Sequence, residues 1–332
     1  MRHYKKVRKA FSLVEVIFVL VILGIIASIG SSIIIQVYES YITQNAVYKV
    51  STKTELVANQ IVNRLTYAIP SSTISKVTDN NGIWNGGIVE DTDWIQLKNI
   101  MFGHNEFRSI EWIGFDNDSF SSSVTPGWSG VANYNTSTRN ILNTPASNLT
   151  LTRDTIFNLS NSQVDLNTNS LNSAAIIFKE KDDFFTDISE YSPACMGLID
   201  NNASCIFPVR RTNDTQLQFL GTTANTPKII TERYKLAWSA YAIVPEDPDG
   251  DDLWDLYLYS NYQPWNGETY NNKAYNVEGF SPEGISRKLL MRNVSVFKFT
   301  KNGSIIQFKL CASENIGESF PVSTCKEKVV LR

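Results

Sequence analysis

The chain has 332 residues, 42% of them hydrophobic and 11% aromatic, and carries a formal net charge of -3. That length can form one large core or two modest ones, and a mean hydropathy of -0.17 excludes a polytopic membrane protein. Outside "MRHYKKVRKA", which holds Arg2, Lys5, Lys6, Arg8 and Lys9 and no acid, 25 basic side chains face 33 acidic ones, so nucleic acid is not an expected partner.

In chain order, the basic decapeptide comes first and reads as a topology signal that keeps its end in the cytoplasm. Residues 11–35 then form a run of 25 whose only charge is Glu15. As a helix this run spans the roughly 30 Å of a bilayer core. It fits a cleaved secretory signal, with a small-x-small site at Ser28-Ile29-Gly30, or an uncleaved signal anchor. Neither has a use for Glu15, and a carboxylate inside a membrane segment costs about 2.5–3.5 kcal/mol on insertion scales. A leader cut before the apolar run does have a use for it.

Ala10-Phe11-Ser12-Leu13-Val14-Glu15 resembles the class III leader junction of type IV pilins and type II secretion pseudopilins. The resemblance covers roughly residues 5–45. It implies that prepilin peptidase cuts between Ala10 and Phe11 and methylates the new amine of Phe11. It also implies that Glu15 pairs with that amine on a neighbouring subunit during assembly. The charges would offset one another in an apolar filament core, and an acid in the first helical turn suits the helix dipole. Ala10 departs from the commoner Gly, which bears on cleavage efficiency. The implied partners are prepilin peptidase, other pilins or pseudopilins, an inner-membrane assembly platform and membrane lipid. The implied location is a single pass of the inner membrane with the carboxy-terminal domain in the periplasm, then a filament or its tip.

Beyond the apolar run, nothing breaks the helical pattern before Pro70. Val50, Val57, Ile61, Leu65 and Ala68 form an amphipathic stripe among Lys53, Glu55, Asn59 and Asn63. A helix is expected over Ser12–Ile69, about 87 Å long. Its divisions are a leader (1–10), a transmembrane and filament-core helix (11–35), an amphipathic continuation (36–69) and an exported β-rich domain (70–332). Tyr38, Tyr41 and Tyr48 sit where interfacial anchors would.

The rest reads as strand and loop. "WIQLK", "IEWIGF", "LTLTR" (149–153) and "AAIIFK" are short strand candidates, and the Asn/Ser/Thr-rich residues 116–173 suit surface loops. "KLAWSAYAIV" and "LWDLYLYS" alternate apolar and polar. "NVSVFKFT" and "SIIQFKL" flank Lys301-Asn302-Gly303, a hairpin signal, with Ile306, Phe308 and Leu310 on one face and Ile305, Gln307 and Lys309 on the other. "EKVVL" would close the sheet. The expected fold is α+β and pilin-like, with a long amino-terminal helix packed on a carboxy-terminal antiparallel sheet that carries loop-rich insertions.

Four cysteines, Cys195, Cys205, Cys311 and Cys325, are spaced C-x9-C and C-x13-C, unlike zinc pairs. Three disulfide connectivities are open. Local pairing is the simplest, and each such loop would contribute roughly 3 kcal/mol. Cys311–Cys325 would then pin the loop after the hairpin.

"DPDGDDLWD" is the one site-like cluster. Asp247, Asp249, Asp251 and Asp255 are the candidate calcium ligands, and calcium does support several pseudopilins. EF-hand spacing fails, because Asp252 stands where Gly is needed and Leu258 where Glu is. An acidic hairpin tip turned by Pro248 and Gly250 is the simpler account, and no other cofactor is expected.

No catalytic motif is found, so an enzyme is not expected. His3 lies in the leader, and His104 is read as a loop residue. Tyr262, Trp265 and Tyr270 suit either a partner- or glycan-binding surface or loop packing.

The length exceeds that of a major pilin, and the terminal hairpin is loosely similar to J-type minor pseudopilins and W-type minor pilins. The expected function is thus a minor subunit that initiates or caps a type II secretion pseudopilus or a type IV pilus. The alternative is a membrane-anchored adhesin or glycan-binding protein that does not polymerise. With the precursor co-expressed with its peptidase, amino-terminal sequencing should read methylated Phe11. A start near Ser31, or an intact Met1, would contradict the leader.

Overall fold

The computed structural model describes residues 12–69, 72–84, 87–100, 106–121, 125–167, 173–178, 193–200, 203–221, 226–227, 229–247, 249–271, 285–316 and 320–331. No proline interrupts the amino-terminal segment, and α1 runs unbroken over Leu13–Thr66, 54 residues and about 81 Å. It ends short of the expected Ile69 because the following backbone is taken by a strand. The Ile69 amide donates to the carbonyl of Ile113 (2.7 Å), and the Tyr67 carbonyl accepts from the amide of Phe115 (2.8 Å).

Twelve antiparallel strands follow among the described residues: β1 (Ile74–Val77), β2 (Trp94–Gln96), β3 (Phe107–Phe115), β4 (Ile141–Asn143), β5 (Ala175–Phe178), β6 (Phe207–Asn213), β7 (Gln216–Phe219), β8 (Tyr234–Glu246), β9 (Trp254–Tyr262), β10 (Ser286–Asn302), β11 (Ile305–Ile316) and β12 (Phe320–Leu331). The long helix and this sheet form the pilin-like α+β arrangement. The order β12-β11-β10-β9-β8 makes a continuous antiparallel ladder. β3 takes one edge of β8, while β5 and β9 share the other edge end to end. At the β10–β11 turn, positive φ is confined to Gly303 (56°), at the first central position as in type II′ turns.

Three apolar cores result. The stripe of α1 packs on Trp112, Leu258, Phe308 and Leu310. On the opposite face of β3 and β8, Ile113, Ala240 and Val244 pack against Met196, Trp265 and Tyr270. The third core corrects the reading of 116–173 as surface loops. Trp128, Leu142, Leu149, Ile156 and Leu166 are buried against β5, β6 and β7. Within this core, residues 149–153 are helical rather than extended, opening α3 (Leu149–Leu159). Asn148 caps the helix, its side chain accepting from the Leu151 amide, and the buried Leu149, Thr152 and Ile156 follow the helical period. Two turns of apolar spacing outweigh the four-residue alternation.

Two disulfides are present, Cys195–Cys205 and Cys311–Cys325. The second does not pin a loop. Cys311 and Cys325 face each other in the β11–β12 ladder, because both strands extend well beyond the expected segments. Of the two readings left open for the aromatic residues 262, 265 and 270, the structure agrees with loop packing. Tyr262, Trp265 and Tyr270 are 0%, 6% and 1% exposed, and their polar atoms are spent internally, on Glu111, the Ser173 carbonyl and the Gly82 carbonyl.

Asp116 is a buried acid that sequence patterning did not single out. It caps the short helix α2 (Asn117–Phe120), accepting from the amide and hydroxyl of Ser119 and from Trp128 Nε1 (3.2 Å). Burial outweighs these hydrogen bonds and pushes its carboxyl up to about 6. Between pH 4 and 6 the folded chain therefore holds a proton that the unfolded chain has released, so stability falls as pH rises through this window. The difference approaches about 3 kcal/mol above pH 6. Urea melts of wild type and Asp116→Asn, taken across pH 4–7, should diverge by this slope, with the variant's dependence the flatter.

Candidate assembly site

α1 has two unlike halves. Ser12 caps it through backbone alone, its carbonyl accepting from the amides of Glu15 (3.0 Å) and Val16 (3.2 Å). Glu15 thus stands in the first turn, exposed, amid Leu13, Val14, Phe18 and Val19, which are also exposed. Nothing among the described residues covers this half, and the first buried residue of the helix is Val50. It is the one helix among the described residues that is long and apolar enough to cross a membrane. Gly24 and Gly30 leave open notches in the rod, where a Cβ would meet nothing within 4 Å. An apolar rod with such notches demands lipid or close-packed helices around it.

The second half is fastened to the end of the sheet. Val50, Val57, Ala58, Ile61 and Leu65 recur at helical spacing and are buried on β10–β12. Thr54, within that stripe, satisfies its hydroxyl on the Val50 carbonyl (2.7 Å). Glu55 at its margin meets Lys326 (3.6 Å) and Lys328 of β12, and the Lys328 hydrogen bond holds its carboxyl below the ordinary range. Arg64 lies over the Tyr241 ring at 5.0 Å, and that ring stacks on Trp112. The head is therefore carried rigidly by the last turns of the helix that would enter a filament.

The other residues singled out from sequence fall as follows. Ala10, Phe11, His104, Pro70 and Pro248 lie outside the described residues. Asp247, Asp249 and Asp251 come together, with carboxylate oxygens within 4.8 Å of one another. Two of these carboxylates already serve the turn. Asp247 accepts from the amides of Gly250 (2.8 Å) and Asp251 (3.2 Å), and Asp251 from that of Leu253 (2.8 Å). Asp255 does not join them; it is the second residue of β9 and faces Arg292 at 3.9 Å. The acidic hairpin tip accounts for this geometry without an ion.

Sequence reading passed over one pair altogether, Lys76 and Glu111, which are fully buried together between β1 and β3. The available signal was a single charge of opposite sign in each of two apolar strands, "ISKV" and "IEWIGF".

Compared with protein families, the prokaryotic N-terminal methylation motif matches residues 5–31. The amino terminus is a class III prepilin leader. Leaders of this kind occur in type IV pilins and pseudopilins, and the match supports a protein of that type. No curated protein and no solved structure matches the chain. The leader stands directly before the rod that the described residues leave uncovered.

Leu65→Ala removes a fully buried side chain from the helix–sheet contact and should cost about 2–5 kcal/mol. Chemical denaturation in detergent should show this loss, while Leu20→Ala, on the exposed rod, should leave the midpoint of the head unchanged.

Proposed function

We propose that this prepilin is a minor pilin or pseudopilin, a structural and non-enzymatic subunit that initiates or caps a type II secretion pseudopilus or type IV pilus. The observation that carries the reading is the contrast within α1. Behind a methylation motif, its first half is apolar and covered by none of the described residues, while its second half is fastened to its own sheet.

Residues 1–10 would be the leader, 11–35 the anchor and filament core, 36–69 the connection to the head, and 70–332 the periplasmic body. Prepilin peptidase would expose and methylate the amine of Phe11. Glu15, in the first turn of an apolar rod, would pair with the amine of an adjacent subunit as the rod leaves lipid for helix neighbours. A body with three cores and several long insertions is bulky for a repeating unit, which favours a rare position at the filament end. The adhesin alternative draws no support from Tyr262, Trp265 and Tyr270, since none of them faces solvent.

Glu15→Ala in cells carrying the whole system should be cut and remain in the membrane, yet be missing from sheared filaments, with filament number reduced. Immunoblots of membrane and sheared fractions measure this. Wild-type incorporation by the variant would remove the role of the carboxylate, and recovery as the major component of the fibre would remove the minor-subunit reading.

A further inference from the structure

β1 and β3 pair with Ile74 opposite Glu111 and Lys76 opposite Ser109. Lys76 and Glu111 are thus diagonal neighbours on one face of the sheet. Their side chains are 0% and 1% exposed, and Nζ lies 2.5 Å from Oε2. The Trp84 ring covers the amine at 3.8 Å, with the Tyr270 ring at 5.7 Å. On the other oxygen, the Tyr262 hydroxyl donates to Oε1 at 2.8 Å. Among the described residues, Nζ and Oε2 have no hydrogen-bonding partner besides each other.

This is a poor home for an ion pair. An ammonium can serve three acceptors and a carboxylate oxygen more than one donor, and here Nζ and Oε2 have only each other. Burial drives the Lys76 amine towards its neutral form. Passing the proton from Nζ to Oε2 leaves an uncharged amine in contact with an uncharged carboxylic acid, held together by two paired strands.

We propose that Lys76 and Glu111 condense to an amide, an internal cross-link that the folded chain forms on itself. The lone pair of Nζ attacks Cδ of Glu111. Negative charge develops on Oε1, where the Tyr262 hydroxyl already donates. The amine gives up a proton to Oε2, the Cδ–Oε2 bond breaks, and one water leaves. One C–N bond forms for one C–O bond broken, and neither oxidant nor cofactor is needed. Fixed proximity supplies what a free amine and acid in water lack.

The pattern of hydrogen bonding agrees with this product. Oε2, the orphaned oxygen, is the atom that departs. Oε1, held by Tyr262, remains as the amide carbonyl. Nζ keeps one N–H in place of three, against an aromatic face. The link ties the first strand after α1 to the strand that receives the chain as it leaves α1.

The test uses the full chain, purified in detergent, reduced and weighed intact, with its amino terminus sequenced to fix the expected mass. The cross-linked protein is lighter than its sequence by one water. Trypsin then fails to cut after Lys76, and tandem spectra join the peptide containing Lys76 to the one containing Glu111. Lys76→Arg keeps the positive charge, cannot form this amide, and should weigh its full sequence mass. Should that variant fail to fold, the wild-type peptide map still decides. Full sequence mass after prolonged incubation, with complete cleavage after Lys76, overturns the proposal. So does a water loss that maps to a succinimide at Asp249-Gly250 instead of a joined pair.

Discussion

The structure depends on one constraint: a single helix must satisfy two environments without a break between them. Over its first half no face of α1 is polar enough to stay in water. Over its second half one stripe must be buried on protein while the other faces meet solvent. The changeover falls at Val50, where the first side chain is covered. Because no proline or capping residue separates the halves, the orientation of the head is fixed by whatever holds the rod. The sheet end, with β10, β11 and β12 beneath the stripe and Lys326 and Lys328 at its margin, is the surface that makes this coupling stiff.

The helix and its anchoring stripe were readable from sequence because burial there repeats at one period for many turns. The carboxy-terminal sheet was readable for the same reason at period two, with Ile306, Phe308 and Leu310 inward. Reading failed where short patterns compete. The alternation of residues 149–153 is real, but it sits inside a longer apolar spacing that only burial against β6 and Trp128 makes visible. A polar composition in residues 116–173 likewise hid a core, because few apolar residues suffice when each lies on an inward position.

Polar sites were the least legible. Nothing local says that Lys76 and Glu111, thirty-five residues apart, are buried together; that follows from the β1–β3 register. For Tyr262, Trp265 and Tyr270, near Pro264 and Gly267, sequence left surface and loop packing equally open. The rings turn inward: Tyr262 donates to Glu111, Tyr270 lies 5.7 Å from the Lys76 amine, and Trp265 donates to the Ser173 carbonyl. The acidic turn shows the reverse case. Its composition allowed an ion or a hairpin tip, and one oxygen each of Asp247 and Asp251 accepts from backbone amides of the turn.

The strands beneath the helix are the last ones in the chain. α1 is made first, yet β11 and β12, which pack on it, run as far as Leu331. The first and last elements must therefore meet across nearly the full length of the chain, a closure of high contact order. Until that happens the stripe is as bare as the rod above it, and α1 is apolar-faced from end to end. Folding of the head is then a signal in time: only a chain made through β12, with Cys311 and Cys325 side by side, offers a helix whose uncovered part is confined to the half that seeks lipid or neighbours.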